Sequence, residues 1–122
     1  MILNKQMEII MAILSVNYEN MNHEEMAAAI GLKPKHIPML VGSFLEESVD
    51  ILETLSKAIE SKDYEAIKAS AHAIKGSAGN LRFNEVYEMS KEVEFAGTDA
   101  NESFDYDGYL TAIKAAVATI PN

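Results

Sequence analysis

Cysteine is absent from the 122 residues. That excludes a disulfide framework, a thiolate metal site and a cysteine nucleophile, and it agrees with a reducing compartment. No apolar run approaches the roughly 20 residues that cross a bilayer, so membrane insertion is not expected. The start, Met1-Ile2-Leu3-Asn4-Lys5-Gln6-Met7, has neither a basic leader nor a small-residue cleavage site, and a cytoplasmic protein is the expectation. Positive charge is scarce as well: 10 Lys and Arg against 19 Asp and Glu give a formal charge of −9. Such a surface repels phosphate backbones, which argues against a nucleic-acid partner. Three prolines and six glycines are few, and no alternating strand pattern interrupts the helical periodicity.

What is present is enough for one compact domain. Apolar residues make up 48% of the chain, sufficient for a modest core at this length. The spacing predicts a first helix over about 3–16, with Leu3, Met7, Ile10 and Leu14 on one side, broken by Asn17 to Asn20. Asn22 as N-cap with Glu25 at N3 makes a capping box for a short helix that ends at Gly31. The longest helix begins near Pro34, and its apolar stripe runs through Ile37, Leu40, Val41, Phe44, Leu45, Val49, Leu52, Leu55 and Ile59. Asp63 caps a helix over about 64–82, and Asn84 caps another with Val86, Met89, Val93 and Ala96 buried and Gly97 at its end. Asp105 starts the last, which buries Leu110, Ile113, Val117 and Ile120. Short connections between long amphipathic helices predict an all-α fold, an antiparallel four-helix bundle over 34–122 with short added helices in 1–33. The whole is expected to form one compact domain.

The informative stretch lies in 69–82. Its core stripe is Ile67, Ala71, Ile74, Ala78 and Leu81. At about 100° per residue, His72 stands roughly 140° from the centre of that stripe and should face solvent. Lys68, Ala69, Lys75, Gly76 and Gly79 share its side. Two glycines inside a helix cost roughly 0.5–1 kcal/mol each relative to alanine, and neither sits on the stripe where close packing would ask for one. Access explains them: glycine at i+4 leaves nothing standing over the imidazole. Lys75 and Lys68 flank the ring with positive charge suited to phosphoryl oxygens. Neutral imidazole is itself a nucleophile near pH 7. The alternative is an ordinary surface histidine in an alanine-rich helix, and the paired glycines weigh against it.

The run His72-Ala73-Ile74-Lys75-Gly76-Ser77-Ala78-Gly79-Asn80-Leu81 resembles the signature of histidine-containing phosphotransfer (HPt) domains, roughly H-x-x-K-G-[SA]-[SA]-x-x-h. The helical layout from about 34 to 119 is similar to that family's four-helix bundle. One departure is Arg82, where many members carry a glycine. The resemblance implies a phosphorelay intermediate. His72 takes a phosphoryl group from a receiver-domain aspartate, through Nε2 in the family, and passes it to another receiver. Lys75 and, secondarily, Lys68 would steady the phosphoryl oxygens. Gly76 and Gly79, with Ala69 beside them, would give clearance for a docking partner, and Ser77 would help orient the helix. Partners would be response-regulator receiver domains or a hybrid sensor histidine kinase. No intrinsic cofactor is implied, and Mg²⁺ would belong to the partner receiver.

Other signals are weaker. Residues 24–37 have the small-residue, glycine-turn look of a helix-turn-helix, but the second helix continues into Glu46, Glu47 and Asp50. His23 and His36 stand at non-ligand spacings. No glycine-rich phosphate loop exists, so no ATP site of the chain's own is expected. Phe44 reads as core, and Phe83 as either core or docking surface. Two further readings compete with the relay: a helical interaction module that never accepts phosphate, and the phosphate-accepting domain of a chemotaxis-type histidine kinase.

Overall fold

The computed structural model describes residues 16–122. All but the last residue of the helix expected over 3–16 lies outside them. Among the described residues five α-helices form: α1 (His23–Ile30), α2 (Ile37–Ser61), α3 (Tyr64–Asn80), α4 (Asn84–Thr98) and α5 (Tyr106–Ala118). A 3₁₀ turn, Pro34–His36, leads into α2. Lys62 and Asp63 alone join α2 to α3, and Leu81, Arg82 and Phe83 join α3 to α4, so successive helices must run antiparallel. Helix α3 packs on α2 and α4, and α5 closes the ring against α4 and α2. The bundle expected from the sequence is the fold.

Local chemistry explains most boundaries. The Asn22 side chain accepts from the Glu25 amide, and Gly31 ends α1 with φ +75°. Asp63 accepts from the Ala66 amide at the head of α3, and Asp105 accepts from Gly108 at the head of α5. Helix α4 departs from expectation: Phe83 is its N-cap and offers no side-chain cap, while Asn84 is already helical. Gly97 does not end α4 either. It is buried one residue before the end, and a Cβ there would lie 3.1 Å from both Ile67 Cγ2 and the Lys68 backbone nitrogen. This glycine serves close packing of α4 on α3.

Ile37, Val41, Phe44, Leu52 and Leu55 of α2 meet Ile67, Ala71, Ile74 and Ala78 of α3 in the core, with Val86, Met89 and Val93 of α4 and Tyr109 and Ile113 of α5. Val49 is a correction: it is exposed, and Ser48 takes the buried position. Steps of four and three from Val41 through Phe44 reach 48 and 52, which turns residue 49 off the stripe. Ser48 satisfies its hydroxyl by donating to the Leu45 carbonyl at 2.9 Å. Phe83 is core, its ring centroid 5.2 Å from that of Phe44. Tyr18, ahead of α1, packs on the bundle: its ring meets Phe83 edge-on at 4.9 Å, and its hydroxyl donates to Glu85.

Tyr109 carries a consequence for pH. It is fully buried, and its hydroxyl has no hydrogen-bond partner among the described residues. Burial, then the charges of Glu92 and Asp105, pushes the phenol up to about 12. Unfolded tyrosine titrates near 10 (a generic value), so the folded chain holds this proton longer than the unfolded one. Its contribution is therefore intact below about pH 10 and is lost as pH rises towards about 12, by roughly 1 kcal/mol per unit. Denaturant midpoints measured across that window should fall, and Tyr109→Phe should flatten the fall while leaving the neutral-pH midpoint nearly unchanged. Equal slopes for both chains would refute this.

Candidate functional site

Helix α3 presents two faces. Ile67, Ala71, Ile74, Ala78 and, just past its end, Leu81 are all buried, as the periodicity predicts. On the other face His72 stands with 68% of its side chain exposed. Lys68 and Ala69 are exposed beside it, and with Glu65, His72 and Glu94 they line an open hollow of 430 Å³. Gly76 is exposed, and a Cβ built there would meet nothing within 4 Å. The surface over the imidazole is open.

The side chain that organises this face comes from α4. Glu94, only 12% exposed, reaches across the seam with one oxygen on each of two partners. Its Oε2 lies 2.6 Å from His72 Nδ1, and its Oε1 lies 2.6 Å from Lys75 Nζ. Burial works to raise the Glu94 carboxyl, but the hydrogen bonds and charges of Lys75 and His72 outweigh it and hold it below its ordinary value. Glu94 is thus a carboxylate at neutral pH, and a carboxylate only accepts. Nδ1 must then carry the imidazole proton and donate it to Oε2. In the neutral ring this puts the lone pair on Nε2, the nitrogen left for chemistry.

The model of the Hpt domain family matches residues 39–120. The chain belongs to the Hpt domain family. No curated protein and no solved structure matches it. Hpt domains serve phosphorelay in two-component signalling and work with receiver domains or kinases. The match begins inside α2 and ends just beyond α5, so it takes in the bundle and the whole of the His72 face.

Within this Hpt domain the remaining site residues separate. Gly79 has a packing reason that its sequence position did not reveal: a Cβ there would lie 3.1 Å from the Tyr87 ring of α4. Ser77 turns towards α2, its hydroxyl 3.5 Å from Glu47, and lines a different hollow with Leu40 and Phe44. Lys75, 20% exposed, is engaged by Glu94 and is not a free cation. Arg82 occupies a left-handed backbone conformation, φ +63°, the region that favours glycine. Glu94 itself was not singled out from the sequence. A usable signal existed: Val93 and Gly97 both turn inward, so residue 94 borders the α3–α4 seam.

Among the described residues no three His, Cys, Asp or Glu side chains gather as a metal site, and no helix is long and apolar enough to cross a membrane.

Proposed function

We propose that this Hpt domain is a phosphorelay intermediate that accepts a phosphoryl group on His72 Nε2 from a receiver aspartate and passes it to a second receiver. The observation that carries this reading is the His72–Glu94–Lys75 constellation on an uncovered helix face. The Nε2 lone pair attacks phosphorus, the bond from phosphorus to the aspartyl oxygen breaks, and the aspartate leaves as carboxylate. The ring keeps its Nδ1 proton and becomes a phosphoimidazolium, whose positive charge faces Glu94. No general base is needed, so the chain's contribution is placement and charge stabilisation. In this reading Mg²⁺ belongs to the receiver, and the phosphoryl group comes from the receiver's aspartate and not from ATP. Lys68, which lines the same hollow as His72, would steady the phosphoryl oxygens, and Lys75 would join it once the new negative charge competes for it.

The test mixes the chain with receiver domains phosphorylated in the presence of Mg²⁺. Acid-labile, alkali-stable phosphate should appear on the chain and leave again when an unphosphorylated receiver is added. Labelling only from ATP and a separate kinase catalytic domain would instead make it the substrate domain of a kinase, and no labelling from any donor would leave an interaction module. Gly76→Leu probes access. With nothing near its Cβ, the variant should gain up to about 1 kcal/mol of helix stability, read as a higher thermal midpoint, while transfer slows. Unchanged transfer would remove clearance as the reason for this glycine.

A further inference from the structure

Arg82 is a costly choice. Left-handed backbone costs a residue with a Cβ roughly 1–2 kcal/mol, which glycine would avoid. Its side chain is exposed, and among the described residues no carboxylate pairs with it. Its charge is therefore left to solvent. Its position is distinctive, however. Arg82 closes one end of a polar groove of 390 Å³ that runs between α3 and α4 from Lys75 past Gly79 to Asn84 and Tyr87. Arg82 follows the end of α3, ten residues beyond His72 and about 15 Å away at helical rise, within the footprint of one docked domain.

Charge supplies the partner's chemistry. A receiver brings acidic groups around its aspartyl phosphate, and this chain carries a formal charge of −9. Two acidic bodies repel unless cations line the contact. On this face Lys75 is already committed to Glu94, which leaves Lys68 at the hollow and Arg82 at the far end of the groove. Resting on the relay reading, we infer that Arg82 is a receiver-docking residue whose guanidinium receives a carboxylate from the receiver surface that covers this groove, away from the aspartyl phosphate.

The experiment takes the full chain and a panel of purified receivers, each phosphorylated with acetyl phosphate and Mg²⁺, and compares wild type with Arg82→Gly, Arg82→Asn and Arg82→Lys. Glycine and asparagine both tolerate the left-handed conformation, and both should raise the thermal midpoint or leave it unchanged. Each should nevertheless raise KM for the phosphorylated receiver about three- to tenfold with kcat unchanged, and weaken the dependence of KM on salt. Lysine should restore most of the affinity. A KM equal to wild type in the glycine and asparagine variants, with wild type itself phosphorylated on His72, overturns the docking role alone. A wild-type chain that takes no phosphate overturns both the relay and this contact.

Discussion

His72→Gln should leave the chain unable to take phosphate from a phosphorylated receiver, while its thermal midpoint should hardly move. The two halves of this result come from different properties of the site. The imidazole is mostly solvent, and its one contact is the hydrogen bond to Glu94. A glutamine amide can still donate to that carboxylate, and Lys75 continues to hold the other oxygen. The stability change should therefore stay within about 0.5 kcal/mol. The chemistry has no such reserve, because an amide nitrogen has no lone pair to offer phosphorus. His23 heads α1 and His36 ends the 3₁₀ turn, and neither shares a carboxylate with a lysine as His72 does. Phosphate that persists in the variant, or that maps to His23 or His36, would show that the nucleophile has been misassigned.

Glu94→Ala should slow transfer by about one to two orders of magnitude, because the ring loses the carboxylate that fixes its tautomer and orientation, and should destabilise the chain by roughly 1–3 kcal/mol by leaving the half-buried Lys75 ammonium unpaired. Glu94→Gln should fall between, because His72 and Lys75 sit on different carboxylate oxygens, and the amide keeps an oxygen for one of them while turning its NH2 to the other. Glu94 acts through His72, so the decisive reading is the ring itself. Nitrogen NMR of the wild-type imidazole should show the proton on Nδ1, and Glu94→Ala should release it to a mixture of tautomers. The same anchor fails in acid. A carboxylate with a lowered pKa supports the folded state fully above its unfolded value and loses that support as pH falls through the folded one. Acid should thus lower the denaturant midpoint below the usual carboxylate range, and Glu94→Ala should lack that part of the fall. An unperturbed ring in Glu94→Ala would reduce Glu94 to a structural ion pair.

The arrangement of helices was largely legible because each buried stripe follows a simple period, and the Ile67–Leu81 stripe fixed the outward direction of His72 without reference to any neighbour. Lys75 and Gly76 were legible as company on one helix face. Glu94 was not, because it meets His72 only after α4 folds back against α3, and a periodicity within one helix carries no information about the rotation of the next. Gly79 shows the same limit from the other side: its small size answers Tyr87, a residue of the following helix. Val49 was misplaced for a narrower reason. Its β-branched side chain outbids serine on hydropathy, but Ser48 occupies the inward step and bonds its own backbone. Asn84 lost the cap position by a single residue, within the usual uncertainty of helix ends.

Gly97 sits on the far side of the same seam, where the α4 backbone rests directly against Tyr64, Ile67 and Lys68. Glu94 is less than one turn away on that helix, and its span to His72 is therefore gauged by main chain against main chain. A missing methyl group serves as the spacer for a hydrogen bond it never touches. The reach of the nucleophile is a machined dimension of the bundle, set before any partner arrives, and a donor and an acceptor would find it alike.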